Sequence, residues 1–333
     1  MNGLDVHVDE RVRLLAAALL LTDFPGKEQR DHPHKPHPLV EHTRPRLDQL
    51  RHHQAVQTIA AVSTGWPFLL IVPHVLRFSW PDFRSLPGVV EPWVEIPALD
   101  GEEFRSSFRA FNEAVEQTGV WQDAAPAWDG LAQELKGVLA ERDLAGFLML
   151  FWGGTGRPFV AVPNPLTPRS KWIGLSAPDA HYAILPPPLI LADASEPVAY
   201  RSRALQTRSV ACHEFSHSPE FHARKSASGL EPAYEEVMAR TPANERFRES
   251  YPGATWQFSE TLLRALQVAY LRRHEGTEAE TRFLKSFSEA EGLESLAVWA
   301  DKLESYLEGR KTGVYGGWDD YLPTYVEELR TMH

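Results

Sequence analysis

The sequence predicts an α+β fold in which a mixed β-sheet belongs to the N-terminal part and the rest is mainly helical. Three observations lead there. Candidate strands are confined to the chain before about residue 190, helical patterning dominates from about Val198, and the pentapeptide His213-Glu214-Phe215-Ser216-His217 stands near the join. At 333 residues with 43% hydrophobic content, the chain can bury a sizeable core in one or two domains.

Residues about 5–22 read as the first helix. Its run Leu14 to Leu21 (LLAAALLL) resembles a signal-peptide core, but Asp5, Asp9 and Glu10 precede it and Thr22-Asp23-Phe24-Pro25-Gly26 follows without a small-residue cleavage pattern. The run is also too short to span a bilayer, so the expected location is cytoplasmic. Next comes QRDHPHKPHPLVEH (29–42), where His32, His34, His37 and His42 read as a solvated loop with at most adventitious metal binding. A helix is expected over 44–62, strands at PFLLIV (67–72) and VVEPWVEI (89–96), and helices over 102–117 and 127–142. A second strand group follows at GFLMLFW (146–152), PFVAV (158–162) and HYAIL (181–185). The last of these ends in Pro186-Pro187-Pro188, and prolines blunt the end of an edge strand. It reads either as an edge to which an extended peptide adds as a further strand, or as an ordinary core strand.

Residue types and spacing imply chemistry most clearly at HEFSH. On a helix, positions i and i+4 share a face, so the imidazoles of His213 and His217 can reach one metal ion while Glu214 sits beside it without binding. Two neutral His ligands with an adjacent carboxylate to take a proton from metal-bound water is the arrangement of a zinc hydrolase. The stretch Tyr200 to Cys212 has no Gly or Pro and should run as a helix into the motif. Pro219 biases Ser218 away from helical geometry, which places the helix end just after His217. The alternative is a surface helix carrying two solvated His.

Zinc sites usually carry at least three protein ligands, so a third is required. Spacing offers Glu236, nineteen residues after His217, a separation used by several metallopeptidases, although its neighbourhood LEPAYEEVMAR also reads as a solvated helix face. Environment offers Glu260. In Thr255 to Leu271 the charged residues are Glu260 and Arg264 alone, and Trp256, Phe258, Leu262, Leu263, Leu266, Ala269 and Tyr270 make the helix apolar over most of its circumference. A buried carboxylate needs a partner, which is either zinc or Arg264 four residues on. Glu260 is the preferred ligand; Glu236, Glu220 and His222 remain alternatives.

Strands first, the motif helix next and a later helix bringing the third ligand is the order a zincin-like architecture needs. It divides the chain into an α+β subdomain over 1–218, ending in the HExxH helix, and a helical subdomain over 219–333 supplying the third ligand, together one catalytic unit. HEFSHS, the later pattern of Tyr251, Trp256, Glu260, Leu262, Arg264 and Ala265, and the N-terminal DVHVDERVRLLAAALLL together resemble a largely uncharacterised bacterial HExxH family. That family belongs to the gluzincin-type zinc metallopeptidase superfamily. The likeness runs thinly over most of the chain, including HHQAV (52–56) and YAILPPPL (182–189). It implies His213, His217 and Glu260 as zinc ligands and Glu214 as the base. The chain departs from the family pattern after the motif, where SPEFHAR replaces an Asn-Pro segment. It also departs at Arg264, where some gluzincins carry a carboxylate supporting a zinc-bound His, so that support must come from elsewhere.

The expected activity is hydrolysis of a peptide or protein substrate, with Glu214 as general base and an oxyanion donor drawn from Tyr251, Tyr315, Tyr321, Tyr325 or His222. Two other classes stay open, a zinc-dependent hydrolase of a non-peptide amide or ester and a catalytically inactive zinc-stabilised binding module. Arg264 pairs with Glu260 or holds a substrate carboxylate. A net charge of −11 argues against nonspecific nucleic-acid binding. The single Cys212 excludes an intrachain disulfide and reads as core packing. The closing segment WDDYLPTYVEELRTMH reads as a helix with Tyr321 and Tyr325 on one face, packed on the core.

Overall fold

Asp9 sets the start of the first helix, because its carboxylate accepts from the backbone N–H groups of Arg11 and Val12. The structure, a computed structural model, describes residues 3–31, 33–62, 67–86, 95–153, 156–167, 172–177, 179–188, 190–192, 194–227 and 229–331. It is α+β, mainly helical with one small mixed sheet, and its chain forms two compact units, Gly3–Val138 with Pro158–Thr207, and Leu139–Arg157 with Arg208–His333.

The first unit opens with β1 (Leu4–Val6), a strand absent from the sequence reading, and α1 (Glu10–Leu20), buried over most of its surface. Next come α2 (Phe24–Asp31), α3 (Pro38–Leu47) and α4 (Gln54–Val62). The expected loop at 29–42 is therefore partly helical, since the His37 Nδ1 accepts from Leu39 N (3.1 Å) and Pro38 opens α3. The expected helix over 44–62 is interrupted by a 3₁₀ turn at Asp48–Leu50. PFLLIV is not a strand but the start of α5 (Pro67–Val75). Phe68, Ile71, Val72 and Val75 are buried at helical spacing, and α5 packs on α1. The strand expected at 89–96 falls almost wholly outside the described residues; Glu95 and Ile96 are not in a strand. After α6 (Pro97–Asp100), α7 (Glu102–Gln117) spans the expected residues and buries Phe104, Phe108, Phe111 and Val115 on one face, and α8 (Val120–Ala140) starts earlier than expected, carrying Pro126 within it.

Three further strands complete the sheet: β2 (Phe159–Pro163), β3 (Ile173–Ser176) and β4 (His181–Leu185). The strand order is β1-β2-β4-β3; β2 runs parallel to both β1 and β4, with Leu4 opposite Phe159 and Phe159 opposite His181, and β3 is antiparallel to β4. The strands at 158–162 and 181–185 thus form where expected. However, β4 is an inner strand with both neighbours hydrogen-bonded, so it offers no edge for an added peptide. The core-strand reading holds, and the prolines after it follow a fully buried strand.

GFLMLFW is likewise helical, within α9 (Leu144–Trp152). Asp143, at φ 40°, caps it through Gly146 N (3.1 Å), and Gly153, at φ 76°, ends it. The helix belongs to the second unit, where the Tyr306 hydroxyl donates to Phe151 O (2.6 Å). This unit continues with α10 (Ala204–Ser226), α11 (Glu231–Arg240), α12 (Glu245–Ser250), α13 (Ala254–His274), α14 (Thr277–Glu291), α15 (Leu296–Lys311) and α16 (Trp318–Arg330). α13 is its central element, packed by α11, α14 and α15 and buried without a break from Gln257 to Leu271. The chain therefore divides elsewhere than at residue 218. The motif helix, from Arg208 on, and α9 group with the C-terminal helices, and the sheet belongs to the other unit. Among the described residues, no helix is long and apolar enough to cross a membrane.

Candidate metal centre

α10 carries the motif and does not stop after His217. It runs through Pro219 to Ser226. Proline forfeits one backbone bond, but the turn beyond it is anchored, since the buried Glu220 Oε1 accepts from Ser259 Oγ (2.6 Å) and Arg224 Nε (3.2 Å). Upstream, Trp152 Nε1 donates to Ser216 Oγ (3.0 Å), which itself donates to Cys212 O (2.7 Å). Arg208 pairs with Glu141 and Glu275. The helix is thus fixed on both sides of the motif.

One turn apart, the His213 and His217 rings lie 4.7 Å between centroids at 85°. α13 brings Glu260 between them, with Oε2 3.6 Å from His213 Nε2 and Oε1 3.8 Å from His217 Nε2. The three donor atoms all lie within 4.8 Å of one another, and among the described residues this is the single His, Cys and carboxylate cluster of that kind. A tetrahedral ion with bonds of about 2 Å holds its donors about 3.3 Å apart, so the site is close to the size such an ion needs. Glu214 stands beside the cluster, its Oε2 3.8 Å from His217 Nε2.

The charge states match as well. Burial pushes the His213 imidazole down to about 3, reinforced by His217 and opposed by Glu260, and burial lowers His217 too. Both rings are therefore neutral, the state in which imidazole binds a metal. For Glu260, burial acts to raise the pKa, but the Arg264 guanidinium against it outweighs burial and holds the carboxyl below the usual carboxylate range. Two neutral imidazoles and an ionised carboxylate are what a divalent ion requires. His213 Nδ1, on the far side of its ring, is buried without an aligned hydrogen bond among the described residues.

Arg264 does pair with Glu260, and it does so without displacing that carboxylate from the two imidazoles. Its Nη1 donates to Glu260 Oε2 (2.5 Å), its Nη2 to Tyr251 Oη (3.2 Å) and Glu291 Oε1 (2.9 Å), and Phe247, Tyr251 and Phe287 surround the guanidinium. Burial pushes the Tyr251 hydroxyl up to about 12, so it stays protonated.

The remaining candidates lie elsewhere. Glu236 is exposed and pairs with Arg330 (2.7 Å), which removes it as a ligand in this structure, and His222 is also exposed. Glu220 is taken by Ser259 and Arg224. Tyr321 and Tyr325 are fully buried and donate to Lys302 O and Trp299 O, so they pack the last helix, and the Tyr315 ring lies tilted against Tyr306 and Tyr321. Cys212 is buried core. His37 serves as a helix cap, His42 lies against Arg46, and His32 is outside the described residues. The sequence reading missed Gln267, which lies against His213, and an uncharged amide in an apolar helix gave it no signal.

Comparison of the chain with protein-family models, with curated proteins and with solved structures finds no match in any of the three. The geometry of the centre therefore carries the functional argument by itself.

Proposed function

We propose that the protein is a zinc-dependent metallopeptidase of gluzincin type, with His213, His217 and Glu260 as ligands and Glu214 as general base. The observation that supports it is the convergence of three donor atoms of the right chemistry and charge, with a fourth carboxylate adjacent but outside the cluster. In this reading α10 and α13 form the two-helix centre of a zincin-like catalytic unit. Bound zinc supplies Lewis acidity toward a carbonyl and a water whose pKa falls to about 7.

The chain's own groups do the rest. Glu214, buried and 3.8 Å from His217, accepts the proton of the attacking water and returns it to the leaving amine. His213 and His217 remain neutral donors, and Arg264 keeps Glu260 ionised and orients it.

The test is elemental zinc in protein purified without a metal column. About one zinc per chain is expected in the wild type and in Glu236→Ala, and none in His217→Ala or Glu260→Ala. Glu214→Gln should keep the metal and lower turnover in a peptide-library screen by about 10²- to 10⁴-fold. Zinc retained without peptide cleavage would point instead to a non-peptide hydrolase or a binding module. No zinc after reconstitution would leave HEFSH a coincidence on a helix.

A further inference from the structure

Resting on the metal-site reading above, we propose that Gln267 is the positioning residue of the centre: its carboxamide oxygen accepts the Nδ1–H of His213 and so presents Nε2 to the metal. His213 Nε2 is the nitrogen that faces Glu260. A neutral imidazole that ligates through Nε2 carries its proton on Nδ1, and a buried N–H requires an acceptor. Nδ1 is buried and makes no aligned bond among the described residues.

Gln267 is the side chain placed to supply it. It lies seven residues after Glu260, two turns along the same face of α13, and is itself buried. Its Nε2 donates to Ser209 O (2.9 Å) and to Ser209 Oγ (3.1 Å). Ser209 is one turn before His213 on α10, so the amide is held on the face of that helix that carries the imidazole. A backbone carbonyl can only accept, and this decides which end of the amide is nitrogen. The oxygen is the end left over for His213.

This also answers the departure at Arg264. Four residues after Glu260 the chain has a guanidinium, which has no acceptor to offer. Seven residues after, it has a neutral acceptor that orients the ring without adding a second negative charge beside Glu260.

The experiment measures the zinc dissociation constant of the full chain by competition with a chromogenic chelator, for wild type, Gln267→Met and Gln267→Glu. Gln267→Met, near-isosteric and without an acceptor, should bind zinc about 10- to 100-fold more weakly, and Gln267→Glu should restore the affinity. In zinc-loaded wild type, the ¹⁵N spectrum of His213 should show the proton on Nδ1, a readout that needs no variant to fold. Wild-type affinity in Gln267→Met, a loss that Gln267→Glu does not restore, or a proton on Nε2 overturns the inference while the metal site stands. Wild type that binds no zinc overturns both.

Discussion

Each unit of the protein holds a buried carboxylate–arginine pair of the same chemistry, and the two differ in what they leave over. In the α+β unit every oxygen of Asp9 is committed. Oδ1 accepts from Arg11 N (2.9 Å), Val12 N (3.2 Å) and Arg11 Nε (3.1 Å), and Oδ2 from Arg11 Nη2 (2.5 Å). Arg11 in turn reaches Leu76 O, Phe78 O and the Tyr182 hydroxyl. In the helical unit Arg264 takes Glu260 Oε2, while Oε1 accepts no hydrogen bond among the described residues and faces His217. The imidazoles differ in the same way. His37 spends its Nδ1 on Leu39 N, whereas the Nε2 atoms of His213 and His217 meet over Glu260. A buried ion pair alone says little about function. An uncommitted lone pair beside neutral imidazoles says much more.

The sharpest way to break this contrast is to remove the closed pair. Arg11→Met should cost about 3–5 kcal/mol of folding free energy, because it strands Asp9 in the interior, yet leave zinc per chain unchanged. Urea unfolding at constant slope and elemental analysis would show both, and zinc loss in that variant would mean that the closed pair also supports the site. Next in size, zinc at a hundredfold excess over its dissociation constant should stabilise the wild type by about 2.7 kcal/mol and Glu260→Ala not at all. Equal responses would remove Glu260 as a donor.

The smallest effect concerns pH. Burial pushes the His37 imidazole down to about 4, below its ordinary value, so its contribution is complete above the unfolded-state pKa of about 6.5 and is lost as pH falls from there toward 4. That loss should be on the order of 1–3 kcal/mol, between the worth of a helix-capping acceptor and the full linkage value of the shift. It should disappear in His37→Asn, whose cap does not titrate; an unchanged acid limb in that variant would clear His37 of the role.

Much of the site was legible because its signals are local or strongly contrasted. HEFSH is a five-residue spacing, and Glu260 stands out as a charge in an apolar helix. The amphipathic period of α7 was equally plain. PFLLIV and GFLMLFW failed for a physical reason: a continuous apolar run has no alternation to reveal its period, and the deciding facts were the Asp143 cap and the buried i, i+3, i+4 sets. Pro219 misled because the anchors that carry α10 past it, Ser259 and Arg224, include a residue far away in sequence. The inner position of β4 depends on pairing with β2 and β3, which no pattern within 181–185 contains. Gln267 gains its meaning only from Ser209 and His213 on another helix.

Cys212 gives the chain a built-in clock. It is the protein's only thiol, completely buried, and the residue next to it in sequence is His213, the proposed ligand. A thiol reagent in solution can reach it only when the middle of α10 opens, so the labelling rate under native conditions counts openings of that segment alone. The slowing of that rate on adding metal would then weigh how firmly an ion closes the helix over its own ligands.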